Sequence, residues 1–445
     1  MVMSMFRRQY VKLTLVIACV SLFQIPVPLF ATLTLHSSLS VTETYTDNLF
    51  FESKKNKRDD FGTFVIPSLT LSYESPDVVL SGTYAGVAQF YVNHPDANAY
   101  SHRSRIGIDL PFLTKRYKGL EVRLIESFNF APALQGYSFD GDQANQDSPL
   151  PGQAGQGGRV GGGGGFGGGG FGGGGLGGGG IAGTSSPIGN QGVFTGRGTG
   201  SNSFQNRAGF IVRYQMSPRW VPNVSYLNRY TTFTDPDLND SLTHTMGAGT
   251  SYIVSPRTRL NMNYRANISD IRRGETVVTH SVTAGVGHTL TPTVNFRVRA
   301  GASYTESADR ITFTSSANIT KSFEAGLFGL SYFQGVTPGG GLATSGVLTQ
   351  RGTATWSYPL TERVSGFLAG GVAKNKSLSG NEVDVTSYQG QVGFSALLLP
   401  WLSGNISYSY IKQNSDGSAT ASRTATVNQG FIGLTARLPD WRIMR

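Results

Sequence analysis

The sequence predicts an all-β protein, a transmembrane antiparallel meander β-barrel of about 18 strands, with 16 as the alternative count. Three observations predict it. Long segments alternate residue by residue: in 257–268, Thr258, Leu260, Met262, Tyr264, Ala266 and Ile268 fall on one face, and Arg257, Arg259, Asn261, Asn263, Arg265 and Asn267 on the other. Successive strand side chains point to opposite faces, so this segment is apolar on one side and polar on the other. The connections between such segments are alternately short and long. Finally, only 14% of the 445 residues are charged, against about 25% in soluble domains. Lipid outside and water inside suit that pattern.

The elements follow in chain order. Residues 1–31 read as an export signal: Arg7, Arg8 and Lys12 precede a mostly apolar stretch, and Ala31 is a candidate cleavage residue. Pro26 and Pro28 argue against a retained membrane helix, and nothing after Ala31 approaches the ~20 apolar residues that a spanning helix needs. Cys19 is the only cysteine. Val16, Ile17 and Ala18 before it loosely resemble a lipidation signal, but the apolar run continues to Phe30, which suits a cysteine inside the signal. A mature chain without cysteine excludes disulfides, thiolate metal sites and cysteine catalysis. The net charge is +10, and about +7 once the three cations of the signal are removed.

Residues 32–445 form the barrel. Its short turns carry proline or fall in brief polar breaks: 75–77, 114–119, 217–219, 255–257, 291–293, 321–324, 359–361 and 399–401. Proline lacks an amide donor and suits turns, not central strands. Longer polar links alternate with them: 46–60, 93–99, 131–203, 234–240, 270–274, 306–309, 334–345, 374–381 and 413–420. Eight short turns and nine loops leave 18 strands, with both termini on the short-turn side. Even strand number, short periplasmic turns and long outer loops are what bacterial outer-membrane barrels show, and closure satisfies every backbone group in lipid. Tyr73, Tyr84, Phe90, Phe112, Phe130, Tyr226, Tyr252, Trp356, Tyr358, Tyr388, Tyr408 and Tyr410 are candidates for the interfacial aromatic girdles.

The 131–203 link is expected on the extracellular side. Its 161–180 stretch holds 17 glycines, with Phe166, Phe171, Leu176 and then Ile181 at a spacing of five. Such a segment cannot repay its ordering entropy; the alternative is a loop folded into the mouth. It lacks the Gly-Lys-Ser/Thr ending of a phosphate cradle.

The alternation places Arg103, Arg105, Arg123, Arg207, Arg213, Arg229, Arg259, Arg265, Arg297, Arg299, Arg310, Arg351 and Arg363 on the water-facing side, against few acids, mainly Asp109 and Glu121. Basic rings in a narrow pore favour anions; bracing of the wall by ion pairs is the competing reading. Glu126, between Leu124 and Phe128, falls on the lipid face, which implies either a register shift or a place near the outer rim. His280 and His288 share a strand face eight residues apart, roughly 26 Å, too far for one metal, and mark the two interfaces. No catalytic, cofactor or metal constellation emerges, so an enzyme is not expected.

Residues 40–51 (SVTETYTDNLFF), the charged 54–60 stretch and 64–73 (FVIPSLTLSY) resemble the start of a family of bacterial outer-membrane β-barrel proteins associated with exopolysaccharide and exosortase (PEP-CTERM) loci. The Thr46-Asp47-Asn48 opening before an aromatic pair and the Pro67-Ser68-Leu69 strand carry the likeness, over about the first quarter of the chain. The resemblance implies no catalytic residue. The chain departs from the usual barrel ending, a terminal aromatic, by running past Phe431 and Leu438 to Trp441 and Arg445. Together these readings predict a porin-like outer-membrane conduit for anionic solutes or for exopolysaccharide export; the alternative is a plugged structural barrel presenting the glycine-rich loop. Expected partners are membrane lipid, the outer-membrane assembly machinery and an anionic solute or acidic polysaccharide, not nucleic acid.

Overall fold

The computed structural model describes residues 31–132, 202–337, 345–380, 383–418 and 423–444; the export signal and most of the glycine-rich link lie outside them. The chain forms β1 (Thr32–Thr46), β2 (Asp60–Glu74), β3 (Val79–Tyr91), β4 (Ala99–Asp109), β5 (Leu120–Pro132), β6 (Asn202–Tyr214), β7 (Trp220–Phe233), β8 (Ser241–Ser255) and β9 (Thr258–Ile271). It continues through β10 (Val277–Thr291), β11 (Val294–Thr305), β12 (Arg310–Phe323), β13 (Gly326–Thr337), β14 (Val347–Pro359), β15 (Val364–Ser377), β16 (Asp384–Leu399), β17 (Leu402–Ser415) and β18 (Arg423–Arg437). Each strand pairs antiparallel with its sequence neighbour, and β18 pairs with β1, so the sheet closes as an 18-strand meander.

Closure continues into the chain end. Pro439 cannot donate to a ladder and interrupts β18. A short β19 (Trp441–Met444) then resumes beside β1, Leu35 opposite Trp441 and Thr32 opposite Met444. The residues past Leu438 thus extend the closing strand.

One connection differs from expectation. Where the sequence predicts a short turn at 114–119, a one-and-a-half-turn helix α1 (Pro111–Arg116) forms. Pro111 suits the first helical turn and Lys115 and Arg116 the last. Gly119, at φ 88°, then turns the chain into β5, a conformation open to glycine and costly for other residues.

The two faces separate as the alternation requires. Leu260, Met262 and Tyr264 are exposed on the outside of β9, while Arg259, Asn261, Asn263 and Arg265 face inward between them. Slipping the register by one would drive both arginines into lipid, at roughly 2–4 kcal/mol each near the midplane. The outside is apolar around the wall, with Leu69, Val224, Val282, Leu330, Leu368 and Ile406 among its exposed side chains. A closed barrel with an apolar exterior and all its short turns at one end is an integral protein of the bacterial outer membrane, in contact with lipid.

Tyrosines mark the outer surface. The Tyr84, Tyr226 and Tyr264 hydroxyls lie 2.9, 2.9 and 2.8 Å from Nδ1 of His102, His244 and His280. Each histidine sits on the following strand, two residues from the position directly opposite the tyrosine. These stacked pairs put a polar edge on an apolar ring, as an interface requires.

Candidate functional site: the basic lumen wall and its mouth

The inner face of β4–β14 carries the arginines. Arg103 and Arg105 project from β4, Arg123 from β5, Arg207 and Arg213 from β6, and Arg229 from β7. Beyond them come Arg259 and Arg265 on β9, Arg297 and Arg299 on β11, Arg310 on β12 and Arg351 on β14. Direct pairings fix this common face: Arg105 opposite Thr83, Arg213 opposite Glu121, Arg207 opposite Arg229, and Arg351 opposite Phe333 and Ala373. Arg363 lies in the β14–β15 turn. Among the described inner positions of β4–β14 the acids are Asp109 and Glu121. Asp109 accepts a 2.6 Å hydrogen bond from Arg123 Nη2. Neighbouring strands leave room for the guanidinium stems: a Cβ at Gly285 would stand 2.5 Å from Arg299 Cγ and 2.9 Å from Asn261 Oδ1.

Glu126 does point outward. No register shift occurs, since β4–β5 and β5–β6 pair continuously through it, opposite Ile106 and Ala208. Asn206 Nδ2 lies 3.5 Å from its Oε1. His280 and His288 also point outward near opposite ends of β10, contacting Tyr264 and Thr258 respectively.

At the long-loop end, described residues pack into the lumen, which the strand pattern does not announce. Residues 47–59 turn inward over the tops of β17 and β18. Phe51 is buried with Ile411, Ala425 and Val427, all inner-face residues, and Ser53 forms an isolated bridge with Ala425. Asn48 ties the loop in both directions, donating from Nδ2 to Thr426 O (3.0 Å) and Glu52 O (2.7 Å). Arg58 covers the Phe50 ring at 3.9 Å and reaches Glu52 Oε1 at 2.9 Å. Lys54 and Lys55, in a single 3-10 turn, remain exposed at the mouth.

Asp47 anchors this loop. Burial pushes its carboxyl up, but three donors outweigh that and hold it below the usual carboxylate range. They are Asn428 N–H at 2.7 Å, Lys57 Nζ at 2.6 Å and Asn428 Nδ2 at 2.7 Å. Charge-assisted hydrogen bonds to the ionised form account for the direction.

A second constriction joins parts of the wall four strands apart. Pairing of β12 with β13 stops at Ser315–Gln334. The β13–β14 hairpin then leans inward, until a methyl at Gly346 would stand 3.4 Å from Val277 Cγ1 on β10 and 3.2 Å from Leu378 Cδ1. Val277, Val347, Val383 and Val385 are fully buried or nearly so. These residues were not apparent as a site from sequence. Their signal is weak: apolar side chains at lumen positions close to the loops.

No family model matches the chain, and no curated protein is detectably similar to it. Solved structures that align with it include the outer membrane protein opdK from Pseudomonas aeruginosa, at 10% identity and TM-score 0.44, over 92% of this chain and 99% of that one. Acinetobacter baumannii OccAB3 aligns at 11% identity and TM-score 0.42, over 91% and 99%. Pseudomonas aeruginosa OprD aligns at 8% identity and TM-score 0.41, over 91% and 95%. At these values the likeness assigns neither solute nor residue roles to this chain.

Proposed function

We propose that this porin-like outer-membrane barrel is a passive conduit that favours anions, its cargo a small anionic solute or an acidic polysaccharide. The observation that carries the reading is the imbalance among the described residues of one inner wall: arginines on β4–β7, β9, β11, β12 and β14 share a face whose described acids are Asp109 and Glu121. Fixed charge of one sign along a narrow space enriches counter-ions there. Lys54 and Lys55 extend the same sign to the mouth, where an approaching anion meets them first. A role in exopolysaccharide export rests on the opening residues 40–73 and on the fit of an acidic polymer to that wall.

The 131–203 link, between strands β5 and β6, belongs to the long-loop side and would be displayed at the cell surface; residues 1–31 would be removed on export. A narrower role has its own support: Phe51 and the Val277–Gly346 contact narrow the mouth, which suits a gated or structural barrel. Planar-bilayer recording separates the two. Ion-selective steps with an anion-favouring reversal potential support the conduit; a silent, correctly folded barrel supports the structural role.

A further inference from the structure

The outward faces of β14–β18 differ from the rest of the wall at the extracellular end. On β15, Lys374 and Lys376 share the outer face with Leu368 and Val372, whereas Ala369, Ala373 and Asn375 are buried facing in. Lys374 stands between Gln350 on β14 and Thr386 on β16. Lys412 of β17 stands opposite Tyr388 of β16, which in turn faces Val372 of β15. At about 4.8 Å between strands and 3.3 Å per residue, the three lysine positions span a patch roughly 10 Å across the strands and 13 Å along them. On β9, β11 and β12 the outer face is apolar at Ile268, Tyr304, Ile311 and Phe313, and beyond them it carries acids, Asp270 and Glu306, instead of lysines. Lys376 lies 3.9 Å from Asp384; Lys374 and Lys412 form no ion pair among the described residues.

A groove lies below the patch, running over β16–β18 and across the closing seam to β1 and β2, so that it shares β17 with Lys412. Its volume is about 540 Å³, and Val392, Phe394, Ile406, Tyr408 and Ile432 line it, with Tyr45 and Phe61 across the closing seam. Gly430 forms part of its floor: a Cβ there meets nothing within 4 Å. The one acid at its edge, Glu43, accepts hydrogen bonds from Thr63 Oγ1. Along β17, then, the outer face reads apolar groove at Ile406, tyrosine edge at Tyr408 and Tyr410, cation at Lys412. The order matches that of a lipid, acyl chain to interface to charged head.

We propose that β14–β18 hold one phosphate-bearing glycolipid of the outer leaflet, its phosphate against Lys374, Lys376 and Lys412 and an acyl chain in the groove over Gly430. A lysine is a compact, strongly hydrated charge on a flexible stem, suited to a mobile phosphate, and each cation near a charged leaflet adds attraction. The inner wall uses arginine instead, so the two basic surfaces are chemically separate.

The test uses the full-length protein in phosphatidylcholine nanodiscs, with lipopolysaccharide carrying its lipid phosphates as the probe and its enzymatically dephosphorylated form as the control. Native mass spectrometry reads retained glycolipid. The wild type retains the phosphorylated probe, and the triple variant Lys374→Gln, Lys376→Gln, Lys412→Gln retains it roughly tenfold to a hundredfold less. The triple arginine variant restores retention. Gly430→Leu, which fills the groove without touching the lysines, also lowers it. Equal retention by wild type and triple glutamine variant, or equal retention of the dephosphorylated form, overturns the proposal. So does complete displacement by millimolar inorganic phosphate, which would make the site a free-anion site. Heat-modifiable migration reports that each variant is folded. Ion selectivity should not change in any of them, so failure here leaves the conduit reading untouched.

Discussion

Arg207 on β6 and Arg229 on β7 are direct cross-strand partners on the lumen wall. Like charges placed opposite on one sheet face repel. Asn223 and Glu121 flank Arg213 six residues further along β6.

Selectivity is the first consequence. Replacing Arg259, Arg265, Arg297 and Arg299 together by glutamine should move the reversal potential toward the non-selective value under a salt gradient. The shift should be largest near 0.01 M salt, where the Debye length is about 30 Å, and nearly absent at 1 M, where it is about 3 Å. A cation-selective wild type, or an unmoved potential in the variant, would make these arginines structural.

The inward loop should control the size of the mouth. Phe51→Ala removes the ring buried against Ile411, Ala425 and Val427. Truncating a packed phenylalanine costs about 3 kcal/mol; here the loss falls on the 47–59 loop more than on the closed sheet. Larger and noisier unitary conductance, with unchanged heat-modifiable migration, is the expected result. Unchanged conductance would mean that this loop does not limit the path.

The same loop should respond to acid. The Asp47 carboxyl is held below its ordinary value, so its contribution is complete above the unfolded value of about 3.9 and is lost as the pH falls through the lower folded value. Protease cleavage at Lys54 or Lys55 should therefore stay slow from pH 8 to pH 5 and accelerate only below about 4. In Asp47→Asn the loop should be cut faster at neutral pH and lose that acid step. A step near pH 6 in the wild type would point to a different group.

Topology can be read on whole cells. An epitope inserted at Gly170 should be detected by antibody on intact cells, because β5 and β6 end on the same side as the other long loops. An epitope inserted at Asn295, beside the β10–β11 turn, should be detected only after permeabilisation. The reverse pattern would invert the barrel in the membrane.

Much of this protein was written in its local pattern. Single-residue alternation set which side of each strand meets lipid, proline and polar breaks set the turns, and their alternating lengths set 18 strands and the meander order. That information is local because a strand's two faces differ after a single residue and the bilayer penalises the wrong one by several kcal/mol. Other features arose only from closure. Phe51 reads as a loop residue until β18 comes round to β1 and brings Ile411 and Val427 beneath it. Val277 on β10 and Gly346, just before β14, are far apart in the chain and belong to non-adjacent parts of the wall, so no periodicity could pair them. Lys374 and Lys412 alternate as any outward residue does; it took the pairing of β15 with β16 and β16 with β17 to gather them above one groove. Register within a strand follows from burial of its own side chains, whereas contacts across the lumen and between distant strands depend on the curvature of the closed sheet, a property of the whole barrel and of no single segment.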